Sequence, residues 1–324
     1  MQIESHLRAL GDPTRLRIMR LLARMELAVG ELAQVLAQSQ PRVSRHIRIL
    51  CDAGLAERRK EGSWVFLRQA IGEDSASPLA AATARLLTVA EEADPVFAAQ
   101  CDEDRRHLAA IRAAREAAAQ DWFAVHAAEW DTLRSMHSPD EPVEAALQHA
   151  LGEGPLGKML DIGTGTGRMA QLFADRSSHV TGLDKNPEML RIARARLQDL
   201  PADKIDLVQG DFTALPFARE AFDTVLLHQV LHYAQEPQRA LREAARVLAG
   251  EGRIAIVDFA AHEREELRTA HAHARLGFSD EQIGELLTDA GFAPADPVAL
   301  PGDPLTVKIW TGIRRAAPSI PEAA

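Results

Sequence analysis

The chain has 324 residues, 46% apolar and 26% charged, a globular composition too long for one ordinary domain, so two domains and a connector are expected. No apolar run approaches the ~18 residues of a membrane span, and MQIESHLRAL lacks the basic-then-apolar pattern of a secretory signal, so a cytoplasmic protein without a membrane partner is expected. Cys51 and Cys101 are too few for a disulfide framework and lack metal-ligand spacing, and the net charge of −10 conceals a basic head, residues 1–70 with 12 Lys and Arg against 7 Asp and Glu, on a remainder with 25 against 40.

Asp12, Pro13 and Thr14 open a first helix, a capping carboxylate followed by proline where its missing N–H costs nothing. Leu16, Met19 and Leu22 follow at helical spacing, and a second short helix is expected over Val29–Leu36. In AQSQPRVSRHIRILCDAGL, Ser39 is the expected cap, Val43, Ile47 and Leu50 form an inward stripe, and Gln40, Arg42, Ser44, Arg45 and Arg48 project outward until Gly54 ends the helix. Short polar groups and arginines on such a face suit base edges and phosphates of double-stranded DNA. LAERRKEGSWVFLRQ reads as two strands turning at Glu61 and Gly62, with Arg58, Arg59 and Lys60 near the tip. An exposed arginine face is by itself most often a solvated one; the ordered combination is a winged helix-turn-helix.

Residues 75–150 are alanine-rich and interrupted at Asp94 and Pro95, so two long helices are expected. Leu79, Ala82, Leu86 and Val89 suit a dimer-forming stripe or a plain core helix. Phe123, Trp130 and Leu133 fall near one side of a later helix, as core or as a lid over a ligand.

MLDIGTGTGRMA then takes an apolar strand into a glycine loop. A dinucleotide fold wants G-x-G-x-x-G, and Arg168 stands where the third glycine belongs. Gly163, Gly165 and Gly167 alternate instead, after Asp161, a carboxylate that repels a pyrophosphate and welcomes an ammonium. A nucleoside with a cationic amino-acid tail is the expected ligand. Asp184 ends a second strand 21 residues after Gly163 and suits ribose hydroxyls. Asp211 and Phe212 end a third and suit an exocyclic amine and a purine face, the fourth strand delivers His228 and Gln229, and GRIAIVDFA is the fifth. Helices alternate with these strands, giving a mostly parallel α/β sheet with its ligand at the carboxyl edge. His228 and His232 share a face if HQVLHYA starts a helix, making them candidate catalytic residues. Without a third ligand, no metal is expected there. His262, His271 and His273 fall on an expected charged helix as surface or substrate-side residues, and PLTVKIWTGIR is a last strand suited to a closing antiparallel hairpin.

Residues 3–70 resemble the ArsR/SmtB family of bacterial repressors through ALGDPTRLRIMRLL, VGELAQVLAQSQPRVSRHIRIL and AGLAERRKEGSWVFL. The resemblance implies a homodimer on a DNA operator, with Gln40, Arg42, Ser44, Arg45, Arg48, Arg59 and Lys60 at the DNA. The cysteine pair many members use for metals is missing from ELAQVLA, and no His follows the wing in SASPLAAATARLLTVAEEA. Residues 158 to about 260 resemble class I S-adenosylmethionine-dependent methyltransferases, most closely the quinone-biosynthesis and arsenite branch. That resemblance implies S-adenosyl-L-methionine as cofactor, a seven-stranded Rossmann-like sheet and a small-molecule methyl acceptor. It assigns the amino-acid moiety to Asp161, Gly163, Thr164, Gly165 and Gly167, ribose to Asp184 with Lys185 beside it, adenine to Asp211 and Phe212, and the approach to the methyl group to His228. Arsenite is set aside because residues 102–324 contain no cysteine. The expected organisation is a DNA-binding head over 1–72, a helical connector over 73–150, a methyltransferase domain over 151–315 and a disordered tail over 316–324. A body that only senses S-adenosylmethionine or S-adenosylhomocysteine is the alternative, and a head that only dimerises is a third reading.

Overall fold

The computed structural model describes residues 2–23, 25–61, 64–70, 78–131, 140–201 and 203–315. Gly62 of the expected turn, Leu133 and the expected tail lie outside the described residues. The chain divides into two compact units, Met1–Ala118 and Ala119–Ala324, so the stretch expected as a separate connector is shared between them.

In the first unit, α1 (Gln2–Leu10), for which the sequence offered no start signal, precedes α2 (Pro13–Leu22). The Asp12 carboxylate caps α2 as expected, accepting from the N–H groups of Thr14 and Arg15 at 2.9 and 3.2 Å. Then follow β1 (Leu27–Ala28), α3 (Val29–Val35), α4 (Gln40–Asp52), β2 (Ala56–Glu61) and β3 (Trp64–Gln69), in a sheet ordered β1-β3-β2. Ser39 stands at the α4 N-cap without a side-chain cap bond, so proline in the first turn starts that helix instead. Val43, Ile47 and Leu50 are fully buried with Ile18 and Leu32, the predicted inward stripe. Gly54 has φ +69°, which ends α4 cheaply because glycine has no Cβ to strain.

Two helices follow, α5 (Pro78–Ala93) and α6 (Pro95–His126), broken at Asp94–Pro95 as expected. Ion pairs fasten them to the unit: Arg20 to Glu91 at 2.6 Å, Arg105 to Glu91 at 2.7 Å and Arg17 to Asp104. The α5 face that packs inward carries Thr83 and Leu87, whereas Leu86 and Val89 of the predicted stripe are 55% and 52% exposed.

In the second unit, α7 (Asp140–Ala150) leads to β4 (Gly157–Ile162), α8 (Arg168–Phe173), β5 (Ser177–Asp184), α9 (Pro187–Arg196), β6 (Ile205–Gln209) and β7 (Phe222–His228). Next come α10 (Pro237–Val247), β8 (Leu248–Phe259), α11 (Glu266–Ala270), α12 (Asp280–Asp289), β9 (Phe292–Pro294), β10 (Val298–Leu300) and β11 (Val307–Arg314). The long charged helix expected around His262–His273 is only the five-residue α11. The sheet runs β10-β11-β8-β7-β4-β5-β6, parallel from β8 to β6, with β11 antiparallel to β8 and β9 also on β11.

Eight described strands stand where seven were expected. The cause is local: Pro294 pairs with Gly312 and Val298 with Ile309, so four steps on one strand face three on the other and an extra residue splits it into β9 and β10. Pro297, lacking an N–H for the ladder, lies in the gap. Alternate strand residues feed two helix layers. Leu160, Val225 and Ile254 pack with α10 and α12, while Met159, Leu226 and Ala255 pack with α7 and α8. The order reverses between β4 and β7, which opens a crevice at their carboxyl ends.

Candidate functional site

In the first unit, the outward set on α4 is where the sequence put it: Gln40, Arg42, Ser44, Arg45 and Arg48 are all exposed. No ion pair joins Arg42, Arg45 or Arg48 to a carboxylate among the described residues. Arg59, also expected at the DNA, is different in that it is engaged by carboxylates of its own unit. Its guanidinium donates two bonds of 2.9 Å to Glu26 and one of 3.2 Å to Glu61, and it stacks over Phe66. Along β2 its neighbours Arg58 and Lys60 alternate to the exposed side, so the pleat turns Arg59 inward.

In the second unit, Asp161 is 1% exposed near the end of β4, flanked by β5 and β7. One carboxylate oxygen accepts from the Thr164 hydroxyl at 2.6 Å, and the other, Oδ1, is buried without a partner. Burial pushes this carboxyl up to about 7 against the pull of the Thr164 hydroxyl and the Ala170 backbone N–H, with the nearby Asp184 adding to the rise. The loop that follows is tied to β5, since the N–H groups of Gly163 and Thr164 donate to the Leu183 carbonyl at 2.7 and 2.9 Å.

Gly163, Gly165 and Gly167 all have positive φ. Packing adds a second reason for glycine at the first of them. A Cβ on Gly163 would lie 2.4 Å from the Val230 side chain, so packing forbids it, while a Cβ on Gly165 would come no nearer than 3.4 Å to its first neighbour, Trp130. The Gly165 N–H donates to Asp184 at 2.9 Å and the Asn186 N–H to its other oxygen at 2.8 Å. Burial raises Asp184 too, against these backbone donors. At the third strand end, Asp211 accepts from the Lys185 ammonium at 2.8 Å and the Thr213 hydroxyl at 2.7 Å. Burial acts upward on Asp211, yet these two donors hold it below the usual range. Lys185 is thus directed at Asp211, and Phe212 is half-buried beside it.

His228 is buried at the end of β7. The shared helical face expected for His228 and His232 is not formed. Gln229 donates to the Val257 carbonyl at 2.7 Å and has φ +52°, which prolongs the strand and forbids a helix start; His232 sits instead in a short turn, Leu231–Tyr233. His232 Nδ1 bonds Asp258 at 2.7 Å, and Asp258 also accepts from the backbone N–H groups of His232 and Phe259. Sequence reasoning missed Asp258, although it ends β8 much as Asp161 and Asp184 end β4 and β5. It also missed Tyr233, whose ring lies 4.8 Å from Phe123 and 6.4 Å from Trp130, and Asp131, which accepts from Thr166 at 2.8 Å and pairs with Arg196. Trp130 lies beside Gly165 of the glycine loop, and Phe123 packs against Trp130 and Tyr233.

Comparison with known proteins agrees with both regions. Residues 12–58 match the family model described as bacterial regulatory protein, arsR family, and residues 160–256 match that of a methyltransferase domain. A demethylmenaquinone methyltransferase from Renibacterium salmoninarum is 36% identical over 110 residues, 34% of this chain and 44% of that one. An uncharacterized 37.1 kDa protein in transposon TN4556 of Streptomyces fradiae is 33% identical over 164 residues, 47% of this chain and 44% of that one. The chain spans less than half the length of the first curated relatives it matches. Among solved structures, a chain from the Haloferax volcanii complex of the Trm112 methyltransferase activator with a methyltransferase has a TM-score of 0.51 at 22% identity, covering 60% of this chain and 98% of that one.

Proposed function

We propose that this chain, an arsR-family helix-turn-helix joined to a methyltransferase domain, binds operator DNA with its head and S-adenosyl-L-methionine with its body, and transfers the methyl group to a small-molecule acceptor. The observation that carries the reading is the unpartnered, buried Asp161 Oδ1 at the foot of the glycine loop. An acceptor sealed from water costs free energy unless a donor arrives, and an ammonium is the donor that also favours the charged carboxylate. Beside it, Asp184 keeps lone pairs for ribose hydroxyls while backbone N–H groups hold it in place. Asp211 keeps one for the adenine amine and half-buried Phe212 offers the ring an apolar face.

The donor supplies an electrophilic sulfonium methyl. The residues of this chain bind it, align it and exclude water, and alignment alone supplies much of such a barrier. His228, buried at the crevice, limits the approach to the methyl group. In the head, Arg42, Arg45 and Arg48 grip phosphates or guanines, with Gln40 and Ser44 near base edges and Lys60 on the wing. The exposed Leu86 and Val89 on α5 support a homodimer.

The test is incubation of the full chain with S-adenosylmethionine and a small-molecule cell extract. S-adenosylhomocysteine accumulates only when both are present; none above the extract-free background contradicts methyl transfer.

A further inference from the structure

A lysine stands beside the carboxylate that follows β6, and the sheet register puts it there. Strands β5 and β6 run parallel with Asp184 opposite Gln209, so Lys185 and Asp211 leave the sheet as neighbours. The Gly210 N–H donates to the Asp184 carbonyl at 3.0 Å and the Gln209 side chain to the Lys185 carbonyl at 3.2 Å, which ties the two backbones where they part. Across the gap the Lys185 ammonium donates to Asp211 Oδ2 at 2.8 Å. The two oxygens of Asp211 thus have different tasks. Oδ1 accepts from both the N–H and the hydroxyl of Thr213, each at 2.7 Å, and holds the turn that brings Ala214 back beside Asp211. Oδ2 faces the ammonium. The side chains of Lys185 and Asp211 are 35% and 33% exposed, so a ligand reaches the pair without unpacking the core.

Resting on the S-adenosyl reading of this site, we infer that Lys185 sets its base specificity: paired with Asp211, it admits a 6-oxopurine as well as a 6-aminopurine, so that S-inosyl compounds bind here beside S-adenosyl ones. A lone carboxylate discriminates between the two bases because it only accepts. The exocyclic amine of adenine brings it a proton, whereas the oxo group of hypoxanthine meets it lone pair against lone pair. An ammonium only donates. Side by side, one acceptor and one donor match either edge. Toward adenine, Asp211 accepts from the exocyclic N–H and Lys185 donates to ring N1. Toward hypoxanthine the roles exchange, Lys185 donating to the oxo group and Asp211 accepting from the N–H of ring N1.

Asp211 enters either arrangement as a carboxylate with no proton to give. Burial acts upward on it, and the bonds from Lys185 and Thr213 hold it below the usual range. It therefore does not serve an oxo group by protonation, and the donor has to come from the lysine. The flexible four-carbon stem lets the ammonium follow either base. Phe212, half-buried after Asp211, adds no discrimination, since both purines offer it the same flat face.

The experiment is calorimetric titration of the full chain with S-adenosyl-L-homocysteine and with S-inosyl-L-homocysteine, on the wild type, Lys185→Met and Lys185→Arg. The wild-type affinities for the two compounds lie within about tenfold of each other. Lys185→Met keeps the stem and removes the donor, which leaves Asp211 alone against the oxo group and widens the gap to about 100-fold or more. Lys185→Arg restores a donor and brings the gap back within about tenfold. A lysine that only neutralises Asp211 or stiffens the loop changes both affinities together and leaves their ratio unmoved in Lys185→Met, and that result overturns the inference. So does a wild type that binds the adenosyl compound more than about tenfold tighter than the inosyl one. A wild type that binds neither compound defeats the S-adenosyl reading itself.

Discussion

Asp161 is held in a state the unfolded chain does not share. Its carboxyl titrates at about 7 in the fold against an ordinary 3.8, so the folded state binds more protons between those values and loses stability as pH rises through that window. Above 7 the full penalty stands, on the order of 4 kcal/mol at most. Asp161→Asn removes it, so the variant's melting temperature exceeds the wild type's by more at pH 8 than at pH 5; an equal or reversed gain contradicts the assignment. The same substitution discards the ammonium's partner, and affinity for S-adenosylmethionine falls roughly 100-fold by calorimetry. In the wild type that affinity weakens by up to about tenfold per pH unit below 7, because proton and ammonium compete for one carboxylate. A flat profile between pH 5.5 and 7 excludes the competition. Asp161 was legible in the sequence because an acid ending an apolar strand before alternating glycines is chemically unusual. Asp258 was not, because its meaning depends on His232, 26 residues earlier in the chain and brought beside it only when β7 and β8 pair.

Helices and strands repeat the contrast between local and distant signals. The inward and outward faces of α4 follow from a 3.6-residue period, so Val43, Ile47 and Leu50 against Arg42, Arg45 and Arg48 could be assigned from the sequence alone. The wing could not be read so fully, because the face of β2 that Arg59 occupies is set by Glu26, a residue before β1. Two outcomes separate these arginines. Arg42→Ala with Arg45→Ala weakens operator binding and lowers the salt slope of log K by about 2, with little change in melting temperature. Arg59→Ala strands two partly buried carboxylates and lowers the melting temperature by roughly 4–8 °C, leaving the salt slope unchanged. The reverse pattern would return Arg59 to the DNA. HQVLHYA has helical spacing, which left a helix open at His232, and the left-handed Gln229 with its bond to β8 gives a short turn there instead.

At the scale of the molecule, the chain joins a basic head to an acidic body, and under the proposed function any coupling between their two ligands is a thermodynamic quantity. If S-adenosylmethionine changes operator affinity by some factor, the operator changes S-adenosylmethionine affinity by that same factor. Paired titrations on the full chain show equal factors. A factor of one in both directions makes the body an enzyme carried by the head, and a larger one makes it a regulator as well. The direct test of the central claim is calorimetric titration of the full chain with S-adenosylmethionine, S-adenosylhomocysteine and NADH in turn. The S-adenosyl compounds bind one per chain, NADH does not, and Asp161→Asn abolishes most of the heat. A chain that retained NADH and ignored both S-adenosyl compounds would contradict the account.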